Sequence, residues 1–289
     1  MRDTAIALTV AAVTFLITVI WGDPFIRALN WMTLLAPFAR PAAPAPGSAA
    51  DEASRLTRPR IPTMGGLMFL LPVLGVTLVL NVADLAGAEV TGRSILVPLA
   101  VMLIYGGIGI IDDWETIRGI RAEGFSERLK LAWEVSAAIG TGLVLHFLLQ
   151  TNVVLLPGAD TLYTLSGWTY IPIVALVVIG ISNAFDLTDG PDGMTGIVSM
   201  MSFAAYGVIA MLQGQVYLMQ FCLVMVGACV AFLWFNTYPA RLSMGDTGSL
   251  ALGAALGAVA MMTGQWLILP VIAFIPIVET LSVLVQVVY

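Results

Sequence analysis

Long runs of apolar residues, nearly free of charge, recur along the whole chain. A helix needs about 20 mostly apolar residues to cross the hydrocarbon core of a bilayer. We find nine such runs, at residues 4–22, 64–82, 95–112, 130–150, 168–183, 195–213, 216–235, 247–262 and 266–289. Of the 289 residues, 59% are hydrophobic and 10% are charged, against about 25% charged in soluble domains. The sequence therefore predicts an all-α, polytopic membrane protein with about nine transmembrane helices, and excludes a water-soluble globule.

The ninth run contains helix-interrupting residues, namely Pro270, Pro276 and the charged Glu279. Proline removes a backbone donor, and a membrane tolerates the freed backbone groups only where they face protein or a polar cavity. We therefore expect the last helix to be broken, and the break to be a candidate site.

The composition excludes two other classes of protein. Binding to nucleic acid needs a basic surface, but 12 Lys and Arg stand against 18 Asp and Glu, which gives a net charge of −6. The two cysteines, Cys222 and Cys229, lie seven residues apart in one apolar run. They are predicted to be packing residues on one helix face, and a disulfide scaffold is excluded.

The cations indicate how the chain is oriented, because short cytoplasmic loops have an excess of Lys and Arg. One side of the predicted membrane has ten cations, and the other has two, Arg2 and Arg93. The ten are Arg27, Arg40, Arg55, Arg58, Arg60, Arg118, Arg121, Arg128, Lys130 and Arg241. The N terminus is therefore predicted to lie outside. No cleavage-site pattern follows the first run, so we expect it to be retained.

The domain organisation is predicted to be a single transmembrane domain over residues 1–289. Residues 40–62 are rich in proline and alanine, which is typical of a flexible connector, here on the cytoplasmic side. No internal repeat of 20–50 residues is found.

Six aspartates are expected at cytoplasmic helix ends or in the loops between them. A charged aspartate at the bilayer centre costs about 2.5–3.5 kcal/mol, so such a group needs water or a counter-charge. A divalent cation and a set of Lys and Arg would supply the charge. Ligation by oxygen alone suits Mg²⁺, which binds one or two carboxylates together with substrate phosphates. The six are Asp112, Asp113, Asp186, Asp189, Asp192 and Asp246. Asp112 and Asp113 end an apolar run, where adjacent carboxylates repel each other and favour binding of a metal or cation.

Three further segments have the composition of a binding site. In residues 183–196, three aspartates recur at intervals of three and glycines let a ligand approach the backbone, although an ordinary cluster of Asx-turns has a similar composition. In residues 235–249, Asp246 is a candidate to cap the next helix, a structural role that does not exclude binding of a metal. Two glycines open the second run at 65–66, and Arg58 and Arg60 precede them, placed to meet phosphate.

Six motifs in one order resemble the polyprenyl-phosphate N-acetylhexosamine-1-phosphate transferase superfamily. They are PTMGG at 62–66, DD at 112–113, an N-x-x-N-x-x-DG-x-DG-like stretch at 183–193, FN-x-x-PA at 235–240, MGD-x-GSLALG at 244–253 and E-x-L-S-V-x-x-Q at 279–286. The match runs from about residue 55 to 286. PTMGG and the last motif point to the branch that transfers phospho-N-acetylmuramoyl-pentapeptide.

The resemblance implies a ten-helix fold with a broken ninth helix and a Mg²⁺-dependent reaction. In that reaction, undecaprenyl phosphate attacks the β-phosphorus of UDP-MurNAc-pentapeptide, UMP leaves, and lipid I is formed. Both substrates are anions, so a divalent cation must screen their repulsion before attack. Sequence leaves open whether attack is direct or passes through a covalent phospho-aspartate.

The resemblance also implies roles for individual residues. Asp246 is similar to the metal ligand, Asp112 and Asp113 to acids that activate the lipid phosphate, and Lys130 to a basic residue of the catalytic cleft. Asn236 is similar to a nucleotide-phosphate contact. The implied nucleoside or diphosphate pocket consists of Thr63, Asp189, Asp192, Ser249 and Gln286.

The chain departs from the family pattern at four points. Arg58 replaces a lysine, Asp186 replaces the second asparagine of its motif, and Ser243 stands where an aromatic residue is expected near uracil. We keep Arg58 and Asp186 as substrate-binding candidates. The family's His-rich cytoplasmic loop and tenth helix are expected to be absent, because the sequence stops at Tyr289.

Other functions remain open. UDP-GlcNAc, or another UDP-HexNAc, is the alternative donor, and a cation transporter is an alternative of a different class. A transporter predicts acids near the bilayer midplane, whereas here they are expected on one side. The predicted location is the bacterial inner membrane with the active site facing the cytoplasm, and the sequence leaves open a homodimer.

Overall fold

A computed structural model describes residues 2–34, 61–86, 95–118, 126–156 and 162–288. The predicted connector at 40–62 lies outside the described residues except for its last two positions. The long helices are α1 (Arg2–Leu34), α2 (Gly66–Ala86), α3 (Leu96–Arg118), α4 (Glu127–Leu143), α5 (Gly167–Thr188), α6 (Met194–Leu212), α7 (Val216–Asn236) and α8 (Asp246–Met262).

The remaining elements are short, apart from the last helix. A π-helical segment, Val144–Leu148, continues α4, and β1 (Val153–Leu155) pairs antiparallel with β2 (Leu162–Thr164) before α5 begins. After α8, a 3₁₀ turn over Trp266–Ile268 leads into α9 (Leu269–Ile272) and α10 (Phe274–Val288). The β1–β2 hairpin is an addition to the predicted all-α fold.

The described helices confirm a polytopic membrane protein. Six of them are long and apolar enough to cross a membrane, and the bent pair near the C-terminal end brings the number to seven. The apolar segments Gly66–Leu80 and Asp246–Met262 are shorter. The nine apolar runs of the sequence thus coincide with eight helices and one bent pair.

The expected break in the last run is confirmed. The helical segments on either side of Ala273 are bent by 82°. Pro270 is the second residue of α9 and Pro276 lies in the first turn of α10, where the first helical N–H groups have no intrahelical acceptor. Each proline therefore lies at the start of a helix, one on each side of the break, where its missing N–H removes no hydrogen bond within the helix.

Helix α8 is the centre of the bundle. It packs between α3 and α5, and every residue from Thr247 to Met262 is buried. Its Gly- and Ala-rich sequence explains this position, because small residues let helix backbones approach closely within a membrane protein. A Cβ at Gly109 of α3 would overlap the carbonyl oxygen of Asp246. Close packing therefore fixes the position of the first turn of α8.

Candidate active site

Four helix ends meet at one end of the bundle and bring distant polar residues together. Asp112 and Asp113 lie in the last two turns of α3, and Lys130 lies in the first turn of α4. Asp186 lies at the end of α5 and Asp246 is the first residue of α8. The β1–β2 hairpin connects the opposite ends of α4 and α5. The site therefore lies at one end of the membrane helices and not at their middle.

The Lys130 side chain lies between three carboxylates. Its Nζ is 2.6 Å from Oδ2 of Asp246, 3.2 Å from Oδ2 of Asp186 and 3.6 Å from Oδ2 of Asp112. We call these four residues the aspartate–lysine cluster. Their side chains are between 16% and 29% exposed, so solvent and substrate can reach them. Sequence reasoning named all four residues, and the structure brings them together.

Asp113 is placed differently from its neighbour Asp112. Its Oδ2 accepts hydrogen bonds from the Thr247 backbone N–H at 3.0 Å and from the Thr247 hydroxyl at 2.6 Å. Its Oδ1 accepts a hydrogen bond from the Thr63 hydroxyl at 3.0 Å. With 6% exposure, Asp113 is a buried acceptor at the N-terminal end of α8, where a negative charge is favourable.

This arrangement corrects one structural expectation for Asp246. Capping of the following helix by Asp246 was one of the two predicted roles. The residue before the helix is Gly245, which makes no side-chain cap, and the Thr247 N–H of the first turn is bonded by Asp113 from α3. The Asp246 carboxylate is thus directed to Lys130.

The PTMGG motif supports the loop that precedes α8. The N–H groups of Gly65 and Gly66 donate to the carbonyl oxygens of Ser243 and Met244, both at 2.9 Å. Gly245 has a φ of +70°, and a Cβ there would lie 2.5 Å from Oγ1 of Thr63 and 2.6 Å from Oδ2 of Asp113. A glycine is required at this position by the backbone conformation and by the crowding.

The loop between α5 and α6 is hydrogen-bonded to the loop that precedes α8. Oδ2 of Asp189 accepts a hydrogen bond from the Gly245 N–H at 3.0 Å. Burial raises the pKa of Asp189 to about 6, and the charges of Asp186 and Asp113 raise it as well. Asp192, on the more exposed side, accepts from the Ala240 N–H at 3.3 Å.

Asn236 and Ser249 connect the loops to the cluster. The Asn236 amide accepts from the Gly193 N–H at 2.9 Å and donates to the Leu242 carbonyl at 2.7 Å. The Ser249 hydroxyl donates to Oδ1 of Asp186 at 2.8 Å. In this structure the Asn236 amide is therefore occupied by the backbone, and its predicted contact with a nucleotide phosphate stays a prediction.

The predicted site residue Gln286 forms a hydrogen bond within its own helix. Gln286 lies near the end of α10, exposed, where its amide donates to the Ser282 hydroxyl at 3.3 Å. Arg58 lies outside the described residues. The break at Ala273 is itself buried, and its expected role as a site stays a prediction.

Sequence reasoning missed Thr247 and gave Glu134 a different partner. Thr247 makes two hydrogen bonds to Asp113, and the signal was its position next to Asp246 in the MGD-x-GS motif. Glu134 follows Lys130 by four residues, a spacing at which side chains on one helix can pair. Instead, its Oε2 accepts a hydrogen bond from the Asn183 amide at 2.6 Å, and the residue is 1% exposed.

The chemistry of the cluster suits a divalent cation. Carboxylate oxygens of Asp112, Asp186 and Asp246 surround one cationic atom, and oxygen ligands are those that Mg²⁺ prefers. Among the described residues, no three acidic, His or Cys side chains are arranged to hold a metal ion. The oxygen donors are of the kind that Mg²⁺ prefers, and a metal site at the cluster stays a prediction.

Comparison with known proteins gives the family. The family model described as Glycosyl transferase family 4 matches residues 95–264. A relative in Chloroflexus aurantiacus, named phospho-N-acetylmuramoyl-pentapeptide-transferase, is 38% identical over 99% of this chain and 76% of its own length. Relatives with the same name in Chloroflexus aggregans and Bacillus mycoides are 37% identical, over 99% and 97% of this chain and 76% and 82% of their own lengths.

The matched region begins just before α3 and ends just after α8, so it contains the aspartate–lysine cluster and the helices that position it. The relatives match nearly the whole chain. Together with the helical membrane fold, these similarities identify the chain as a multi-pass membrane enzyme that belongs to glycosyl transferase family 4.

Proposed function

We propose that this chain transfers phospho-N-acetylmuramoyl-pentapeptide from UDP-MurNAc-pentapeptide to undecaprenyl phosphate, forming lipid I and releasing UMP. The main support is the convergence of Asp112, Asp186 and Asp246 on one cation position at one end of the bundle. The names of the relatives support the donor. The predicted orientation puts this end on the cytoplasmic side of the bacterial inner membrane.

The reaction joins an oxygen of the lipid phosphate to the β-phosphorus of the donor. The bond between that phosphorus and the oxygen that bridges to the α-phosphate breaks, and UMP leaves with the electron pair. Mg²⁺ would screen the charges of the two phosphorylated substrates, and Asp246, with Asp112 and Asp186 beside it, would hold the ion.

Asp112 is the acid better placed to act on the lipid phosphate. It is 17% exposed and makes the longest of the three ion pairs with Lys130. Asp113, in contrast, is buried and accepts three hydrogen bonds. A carboxylate here can accept a proton from a phosphate monoester, whose second pKa is about 6. Asp113 then positions α8 and, through it, Asp246.

Lys130 and the surrounding loops would bind the donor. Once free of the aspartates, the ammonium of Lys130 can neutralise a phosphate oxygen. Thr63, Asp189 and Asp192 lie on the loops around the cluster, and we propose that these loops form the nucleoside side of the pocket. Ser249, one turn into α8, would orient Asp186.

The test is UMP release by purified protein supplied with undecaprenyl phosphate and Mg²⁺. UDP-MurNAc-pentapeptide and UDP-GlcNAc are compared as donors, in this chain and in a version that carries the C-terminal loop and helix expected from the resemblance. We expect faster release from UDP-MurNAc-pentapeptide. A clear preference for UDP-GlcNAc would assign the chain to a different branch, and equal turnover by a folded D246A variant would refute the metal assignment.

A further inference from the structure

The ammonium of Lys130 occupies the point at which three carboxylates converge. Its contacts of 2.6, 3.2 and 3.6 Å with Asp246, Asp186 and Asp112 come from three different helices. Because the group is mostly enclosed, these attractions are weakly screened by solvent. The ammonium is thus the cation of the cluster in this structure, in the position that suits a metal ion.

A divalent cation bound to the same three Oδ2 atoms would compete with this ammonium. Two cations a few ångströms apart repel strongly in a partly buried site, and they would compete for the same oxygen atoms. The lysine side chain is long and flexible, with rotatable bonds that let its charged end move. Metal binding therefore requires the Lys130 ammonium to move to another acceptor.

Glu134 provides an acceptor one helical turn away on α4. Residues four apart on a helix lie on the same face and their side chains can meet. The Glu134 side chain is 1% exposed, and its Oε2 accepts from Asn183 at 2.6 Å. Its Oε1 is buried and has no hydrogen-bond partner. A buried carboxylate oxygen without a partner is costly, so this atom is available for a displaced ammonium.

We propose that Lys130 is an internal counter-cation that holds the three aspartates together until a divalent cation displaces it, and that Glu134 then receives its ammonium group. The proposal rests on the metal position proposed above. Glu134 is a positioning residue in this scheme, because it acts only through Lys130. The two residues set how tightly the site binds its metal.

Binding of Mn²⁺, measured by electron paramagnetic resonance in detergent without substrates, tests the proposal. Removing the competing charge in K130M should lower the Kd for Mn²⁺ about tenfold or more. In E134Q the displaced ammonium has a poorer acceptor, so the Kd should rise about fivefold. In the double variant K130M/E134Q, the Kd should equal that of K130M, because Glu134 has no ammonium to receive.

The control is E127Q, which removes an exposed glutamate at the start of the same helix and should leave the Kd within about twofold of wild type. Size-exclusion chromatography and circular dichroism report whether each variant folds. K130Q gives a second measurement if K130M does not fold, since glutamine removes the charge but keeps a polar end. Tighter binding in either uncharged variant supports displacement.

A structural role for Lys130 gives the opposite result. If Lys130 only organises the carboxylates, K130M and K130Q bind Mn²⁺ no more tightly than wild type, and this inference is overturned while the metal site stands. If E134Q raises the Kd for Mn²⁺ by the same factor in wild type and in K130M, the role of Glu134 as acceptor is overturned. D246A removes a proposed metal ligand and should abolish the Mn²⁺ site. If Mn²⁺ binding is not lost when D246A is added to any of these proteins, the proposed metal position is itself wrong.

Discussion

Asp113 and Thr247 are joined by two hydrogen bonds across the interface between α3 and α8, at 2.6 Å from the hydroxyl and 3.0 Å from the backbone N–H. The carboxylate therefore satisfies an N–H of the first helical turn, which has no acceptor within the helix. The two adjacent acids of α3 therefore differ: Asp113 is a buried structural acceptor, and Asp112 is partly exposed.

We expect D113A to destabilise the protein by about 2–3 kcal/mol, because it leaves a buried N–H and hydroxyl without their charged acceptor. The midpoint of thermal unfolding in detergent measures the effect. D113N keeps an accepting oxygen and should lose less. D112A removes a partly exposed carboxylate, so it should lower UMP release while changing the unfolding midpoint little. Equal loss of stability in D112A and D113A would contradict this division.

A side chain at Gly245 should damage the site. G245A must adopt a positive φ, at a cost of about 1 kcal/mol, and its Cβ would crowd Thr63 and Asp113. We expect a large loss of both UMP release and thermal stability. The matched control is G214A, because Gly214 also has a positive φ, of +72°, but has open space around it. G214A therefore introduces the backbone strain without the crowding. Similar results for the two variants would show that crowding at Gly245 is unimportant.

The stability contributed by Asp189 should fall as pH rises. Its pKa is about 6 in the folded chain and 3.8 ordinarily, so between these values the folded form holds a proton that the unfolded form has released. The contribution is complete below pH 3.8 and is lost as pH increases through about 6. D189N stays neutral and should gain thermal stability relative to wild type between pH 5 and about 7.5. Unfolding midpoints measured with EDTA present test this, and a constant difference across that range would contradict it.

Asn236 should be needed for the shape of the loops. N236A removes one accepted and one donated hydrogen bond to buried backbone groups, so we expect a loss of about 2 kcal/mol. D192A, which removes an exposed 3.3 Å contact in the same region, is the control and should cost under about 1 kcal/mol. Unfolding midpoints of the two variants give the comparison. If N236A affects only UMP release, the asparagine serves the substrate and not the loop.

The helices could be predicted well because each is an apolar run. Residues 216–235 were expected and Val216–Asn236 was found, and the break among Pro270, Pro276 and Glu279 lies at Ala273. Proline and apolar length act locally, so sequence is sufficient for them. The meeting of Asp112, Lys130, Asp186 and Asp246 could be expected in outline, since all four residues lie at helix ends on one predicted side.

The individual contacts depend on packing and could not be predicted. Adjacent residues on a helix point about 100° apart, so Asp112 and Asp113 must face different neighbours. Which of them would meet α8 depends on the close approach of α3 at Gly109. In the same way, the choice of Asn183 over Lys130 as the partner of Glu134 depends on how α4 lies against α5.

The burial of α8 along its length has a consequence for how the bilayer influences catalysis. Its residues from Thr247 to Met262 are shielded from lipid by the surrounding helices, while α1, α4 and α5 expose apolar side chains outward. Changes in bilayer thickness therefore act first on these outer helices and reach Asp246 only indirectly. Asp246 therefore lies on the part of the enzyme that membrane deformation disturbs least.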